Sequence, residues 1–309
     1  MLICTLMLNP GRILTVFAPA KVNLHLAVKE RRPDGFHNLE SIFAAIDFGD
    51  TLRFEPVPVE NYLDIAMEGL NLTLPAEENV IFKAFSLFKH ETGYNQGLKI
   101  QVEKRIPVGG GLGGGSSDAA ATLNALNMLS GNLLNRNTLL EMAASLGSDV
   151  PFFLYETGAA WVSGRGEQIT PIEAPRGFMV LVNPGFPSET AAAFRLLDDY
   201  RARSSVTKDF QKTVFLYSAA LRGNPADWPF SNDFLPAFPE REQSVYNQII
   251  TRMKEQGADF AGLSGAGSTC FAFFSVREQA EKAEVALSKL WNFVKFVIPI
   301  EKNALLVRF

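Results

Sequence analysis

The densest chemistry in this 309-residue chain lies between positions 107 and 118, which read Pro107, Val108, Gly109, Gly110, Gly111, Leu112, Gly113, Gly114, Gly115, Ser116, Ser117, Asp118. Six of the seven residues from 109 to 115 are glycine. Glycine gives up more backbone entropy on ordering than any other residue, so such a run belongs where main chain must pass close to a ligand and turn its amides toward it. The Ala- and Leu-rich stretch 116–129 that follows reads as a helix with Ser or Asp at its start. A helix beginning there adds unpaired amides and the positive end of its dipole. Loop and helix together make an anion cradle, and phosphate is the usual guest.

Other uses of the glycines fit less well. A solvated linker does not pack glycine so tightly between a strand and a helix. Gly109, Gly111 and Gly114 satisfy G-x-G-x-x-G, a weak pattern alone. The segment before them carries Gln101, Glu103, Lys104 and Arg105, unlike the buried parallel strand of a dinucleotide fold. No acidic residue closes a second strand at the distance where a ribose hydroxyl would need it. As a Walker A loop, 110–115 has the glycine spacing, but Ser116 stands where the lysine must be.

Charged residues elsewhere offer partners for a phosphate. Lys21 interrupts an apolar strand, either as an edge lysine that snorkels or as a site residue. Asn23 shares its face by the two-residue period of a strand. Asp149, just before Val150 and Pro151, reads as a helix N-cap or as a carboxylate that takes a hydroxyl proton. Its spacing leaves both open. His25, His37 and His90 form no zinc pattern. The only cysteines are Cys4 and Cys270; two cannot form a disulfide framework, which implies a reducing compartment. Cys270 lies in the apolar run 269–274 and reads as a buried strand thiol.

The elements that must position these groups are mixed, predicting an α+β fold. Strands are expected over 13–29, 39–47, 51–59, 98–106, 178–182, 259–263, 269–276 and 293–300. Helices are expected over 79–91, 116–129, 137–146, 188–200, 207–221, 241–256 and 278–290. Asp34-Gly35 marks a turn. The pattern restarts after about 166, which suggests two domains, 1–166 and 167–309. A net charge of -4 gives no global field for nucleic acid or an acidic membrane, and a 47% hydrophobic composition is that of an ordinary globular protein. No stretch is long enough for a membrane span, and the apolar residues 1–10 read as an extension and not a signal peptide. A cytoplasmic protein, monomeric or weakly dimeric, is expected.

Five segments, in order, resemble the GHMP kinase superfamily. They are Ala18-Pro-Ala-Lys-Val-Asn-Leu24, Arg32-Pro-Asp-Gly-Phe-His37, the glycine loop, Leu146-Gly-Ser-Asp-Val-Pro-Phe-Phe153 and Leu263-Ser-Gly-Ala-Gly-Ser-Thr269. They look most like the branch whose acceptor is a cytidine-diphosphate-linked methylerythritol. The chain departs from it in Phe36, where tyrosine is usual, and in Ala266, where serine is usual. The resemblance implies a two-domain fold with mixed and antiparallel sheets packed with helices, and an active site in the cleft. It implies ATP and Mg²⁺, with the loop from Pro107 to Ser117 around the phosphates and Ser116 or Ser117 near the metal. Asp118 is expected to complement the helix dipole and not to bind metal. The resemblance also makes Asp149 the acceptor of the substrate hydroxyl proton, with Lys21 beside it favouring the charged carboxylate, and Asn23 on substrate or Asp149. Phe36 would stack on the base and His37 would hydrogen-bond its edge, with Phe43 and Phe194 as further ring contacts, although from the residues alone each of the last two reads more readily as core.

Overall fold

A computed structural model of the chain describes residues 13–69, 78–203, 214–302 and 307–308. The extension 1–10, Cys4 and the first part of the helix expected over 207–221 lie outside them.

The first sheet is built on two long strands, β1 (Leu14–Arg31) and β2 (His37–Val57), paired antiparallel. The turn between them forms where Asp34-Gly35 predicts it, with Gly35 at φ +86° and Asp34 Oδ1 accepting from the Phe36 amide at 3.1 Å. The two strands expected over 39–47 and 51–59 are one. Gly49, in the gap between the two expected ranges, lies opposite Pro19 in the ladder, where a Cβ would come within 2.3 Å of the Ala18 carbonyl oxygen. It is a close-approach glycine inside a strand. β4 (Gly97–Glu103) pairs antiparallel with β2 and parallel with β3 (Leu63–Glu68). β5 (Ala159–Ser163) also pairs with β2, β6 (Gln168–Ile172) with β5, and the short β11 (Val307–Arg308) with β1. β3, β5 and β6 are absent from the sequence-based reading.

Four helices cover one face: α1 (Val80–Thr92), α2 (Gly114–Leu129), α3 (Arg136–Leu146) and α4 (Val150–Leu154). Val16, Phe54, Phe85, Phe88, Leu123, Leu126 and Phe152 are buried between them and the sheet. α1 begins where Asn79 Oδ1 accepts from the Ile81 amide and stops at Gly93, φ +70°. Both signals are legible in the sequence.

The second sheet runs β10 (Phe293–Val297), β7 (Phe178–Asn183), β9 (Cys270–Phe274), β8 (Phe260–Leu263), antiparallel throughout. α7 (Glu240–Glu255) and α8 (Arg277–Leu287) bury Tyr246, Ile249, Met253, Ala280 and Ala283 against it. α5 (Thr190–Arg203) and α6 (Val214–Leu221) complete the described helices. A further apolar cluster holds Val22, Leu24 and Ile42 of the first sheet with Met179, Leu181, Phe271 and Phe273 of the second. The architecture is α+β, as the element pattern predicts. Among the described residues no helix is long and apolar enough to cross a membrane. Cys270 is fully buried on β9, and burial pushes its thiol far up.

Candidate active site

The glycine loop alternates its backbone. Gly109, Gly111 and Gly113 have φ of +65°, +73° and +71°, a region that residues with a Cβ enter only at a cost. α2 starts at Gly114, two residues earlier than expected, because Gly113 is its N-cap and no side chain caps it. Its first amides therefore keep no side-chain partner and remain available to an anion.

The turn joining β8 to β9 props this cradle from behind. Ser264 Oγ donates to the Gly111 carbonyl at 2.9 Å, and the Thr269 amide donates to the Gly110 carbonyl at 3.1 Å. A Cβ on Gly111 would meet the Ser264 carbonyl oxygen at 2.2 Å. The segment around Gly265 is thus a hairpin turn and a support of the loop at once. Ala266, the residue that departs from the resemblance, bonds through its carbonyl, which accepts from Ser188 Oγ at 2.6 Å.

Lys21 and Asp149 meet. Lys21, on β1 and 3% exposed, places Nζ 3.3 Å from Asp149 Oδ2, 3.3 Å from the Gly111 carbonyl and 2.5 Å from Asn23 Oδ1. Its charge also lies 4.6 Å from the centre of the Phe43 ring. Asp149 does occupy the N-cap position of α4, but its side chain makes no capping bond. Position and orientation separate the two sequence-level readings: the site is an N-cap, while the carboxylate turns to the lysine. Asn23 sits on the same face as Lys21 and donates through Nδ2 to Ser41 Oγ across the strand pair at 2.9 Å. Lys21, Asn23, Phe43, Asp149 and the loop from Pro107 to Ser116 all line one cavity of ≈ 460 Å³. Ser117 is buried beneath the helix start, and its hydroxyl has no hydrogen-bond partner among the described residues.

Sequence reasoning missed the ion cluster under the cradle. Lys104 Nζ lies 2.5 Å from Asp50 Oδ2 and 2.6 Å from Asp118 Oδ2, all three buried. Asp50 Oδ1 also accepts from the amides of Arg105 and Ile106, at 2.6 and 2.9 Å. Burial works against the lysine's charge, but the two carboxylates outweigh it and raise its proton affinity. Burial pushes the Asp118 carboxyl up to about 7, against the pull of Lys104. Two carboxylates that share one ammonium behave this way in a dry site. Because α2 starts at Gly114, Asp118 lies beyond its first turn and not in it as expected, and its carboxylate instead anchors the strand before the loop through Lys104. The sequence signal was Lys104, a charge at the end of an alternating strand.

A second pocket opens at the β1–β2 turn, lined by Phe36, His37, Arg165, Phe194 and Asp198. His37 is 6% exposed; its ring stacks on Phe194 at 5.1 Å, and Nε2 lies 2.8 Å from Asp198 Oδ1. Phe36 is 52% exposed, with the Arg165 guanidinium 4.9 Å from its ring centre. Phe194 and Thr190 of α5 line both this pocket and the larger cavity, so the two are contiguous. Phe43 lies instead in the core under Lys21, edge-on to Phe152 at 5.4 Å, and lines the larger cavity only. Arg165 and Asp198 carried no signal in the sequence, since neither falls in a motif.

Known proteins resemble this chain over most of its length. The GHMP kinases N terminal domain matches residues 79–157, and the GHMP kinases C terminal domain matches residues 230–292. The 4-diphosphocytidyl-2-C-methyl-D-erythritol kinase of Burkholderia mallei (strain SAVP1) is 36% identical over 288 residues, covering 89% of this chain and 90% of that protein. The enzyme of the same name from Treponema pallidum (strain Nichols) is 37% identical over 283 residues, covering 90% and 96%. A crystal structure of 4-(cytidine 5'-diphospho)-2C-methyl-D-erythritol kinase superposes with a TM-score of 0.75 at 33% identity, covering 93% of this chain and 99% of that one. With the phosphate cradle, the lysine–aspartate pair and the second pocket in place, these likenesses put the chain among the GHMP kinases, in the family of 4-diphosphocytidyl-2-C-methyl-D-erythritol kinases.

Proposed function

We propose that this chain transfers the γ-phosphoryl group of ATP to the 2-hydroxyl of 4-diphosphocytidyl-2-C-methyl-D-erythritol, a step of non-mevalonate isoprenoid precursor biosynthesis. The observation that carries the reading is the continuity of the two pockets. One holds the anion cradle and the Lys21–Asp149 pair, and the other, joined to it along Phe194, offers rings and a histidine to a pyrimidine. An acceptor with a base at one end and an alcohol at the other spans such a pair. A kinase for a sugar, homoserine or mevalonate has no use for Phe36 and His37, and a regulator without activity has no use for a buried lysine aimed at a carboxylate.

Phosphoryl transfer needs positioning and charge neutralisation more than covalent chemistry. The amides of the loop 107–117 hold the ATP phosphates. Asp149 accepts the proton of the substrate hydroxyl as its oxygen bonds to the γ-phosphorus and the bond to ADP breaks. Lys21 fixes Asp149 by charge and is itself held by Asn23 and the Gly111 carbonyl. Phe36 stacks on the base, Phe194 is a further ring contact beside it, and His37 bonds its edge. Among the described residues no group of three or more acidic, His or Cys side chains could hold a metal ion alone. That suits Mg²⁺, which keeps several waters and binds through substrate phosphates with one or two protein oxygens. The unpartnered Ser117 hydroxyl, or Ser116 at the cavity wall, fits that need. Bound there, the ion would neutralise phosphate charge.

A division near residue 166, a cytoplasmic site of action and a monomer or weak homodimer complete the proposal. The test is to mix protein, Mg-ATP and the cytidine substrate and to measure ADP and the 2-phosphate. Formation of both above a Lys21→Ala control supports the reading; turnover no higher than the control sinks it.

A further inference from the structure

His37 is held by more contacts than a hydrogen-bonding side chain needs. Phe194 fixes the plane of its ring, with 16° between the two, and is itself wedged edge-on against Phe234 at 4.9 Å. Asp198 then fixes rotation about that plane, with Oδ1 2.8 Å from Nε2. Phe194 and Asp198 lie four residues apart on α5 and so share one helix face, which presents both to the same ring. Among the described residues Nδ1 makes no hydrogen bond that competes for its direction.

An ionised carboxylate can only accept, so the ring nitrogen that faces Asp198 carries the proton. In a neutral imidazole the other nitrogen is then a bare acceptor. An acceptor suits the exocyclic amine of cytosine, which donates. It opposes the 4-oxo group of uracil, which also accepts. We propose that Asp198 is a specificity-determining positioning residue: by holding the Nε2 proton of His37 it makes Nδ1 an acceptor and so selects a cytidine-linked over a uridine-linked acceptor alcohol. The inference rests on the reading that the His37 pocket takes the base of the substrate. A site built to bond one polar edge rejects the mismatched one strongly, because its own group is left unpaired.

Two measurements test it on the full-length protein. In ¹⁵N spectra of histidine-labelled protein, with the His37 signals assigned by their loss in His37→Gln, Nε2 carries the hydrogen and Nδ1 does not; in Asp198→Ala the two forms mix. In steady-state assays with cytidine- and uridine-diphosphate methylerythritol, Asp198→Ala lowers the ratio of kcat/KM values by about tenfold or more. The change lies in KM for the cytidine substrate, with kcat and the KM for ATP near wild type, and Asp198→Glu restores part of the ratio. A hydrogen on Nδ1 in the wild type, or an unchanged ratio in Asp198→Ala, overturns the inference while leaving the proposed function standing. A wild type that phosphorylates neither acceptor overturns both.

Discussion

Lys21 Nζ and Asp149 Oδ2 lie 3.3 Å apart, although the lysine comes from the first long strand and the aspartate from the head of a five-residue helix. The lysine is nearly enclosed and the carboxylate is part exposed, so the pair presents its acidic half to the cavity. Under the proposed function, replacing either removes a group assigned to the reacting hydroxyl. Lys21→Ala and Asp149→Asn should each lower kcat by about 10²–10⁴-fold, the usual span for a positioned acid or base. The KM for ATP should change far less, and a coupled ADP assay separates the two. A kcat within threefold of wild type for Asp149→Asn would remove it from the chemistry.

Gly111→Ala tests the cradle. At φ +73° an alanine costs about 1–2 kcal/mol in backbone strain alone, and its methyl would also meet the Ser264 carbonyl oxygen. The melting temperature should fall by several degrees and the KM for ATP should rise. Gly93→Ala shares the left-handed φ but has nothing within 4 Å of its Cβ, so it should lose stability without affecting ATP.

Lys104→Met leaves Asp50 and Asp118 buried and facing each other without their cation. Breaking such a site from one side costs about 3–5 kcal/mol. Chemical denaturation should show a loss of that size at pH 8, shrinking under acid conditions where Asp118 takes up a proton.

The same carboxyl predicts a pH dependence of stability. Its native value is raised to about 7 from an ordinary value near 4. The native state therefore binds this proton more tightly than the unfolded chain, and the stability that comes with it is present below pH 4 and lost as pH rises through about 7. Asp118→Asn removes that titration, so its melting temperature should fall less than that of wild type between pH 4 and 7. Parallel curves for the two proteins would show that Asp118 does not titrate there.

Phe36→Ala tests the base platform. Stacking of a base on an aromatic ring is worth about 1–3 kcal/mol. The KM for the cytidine substrate should rise about tenfold, with kcat little changed, and the rise in melting temperature that CDP is expected to give in wild type should be lost. Phe36→Tyr should behave as wild type, since the ring is kept.

Much of this was legible in the sequence. The cradle, the turn at Asp34-Gly35 and the caps at Asn79 and Gly93 depend on local rules, and local rules survive folding. What stayed hidden depends on contacts between distant segments. Gly49 falls in a gap between two expected strands until Pro19 is known to lie against it. Asp198 is an ordinary helix-face acid until β2 brings His37 under it. Lys104 is an alternating-strand charge until Asp50 and Asp118 close on it. Asp149 shows the division most plainly: it stands at the N-cap position that the sequence announces, but its backbone is already helical, it makes no capping bond, and its side chain answers to a strand that the capping rule does not include.

The Gly111 carbonyl accepts from Lys21 Nζ on one side and from Ser264 Oγ on the other. A single oxygen thus ties the glycine loop to the ammonium that pairs with Asp149. Rotating that peptide would disturb both bonds together, so the glycine loop and the lysine answer to the same atom.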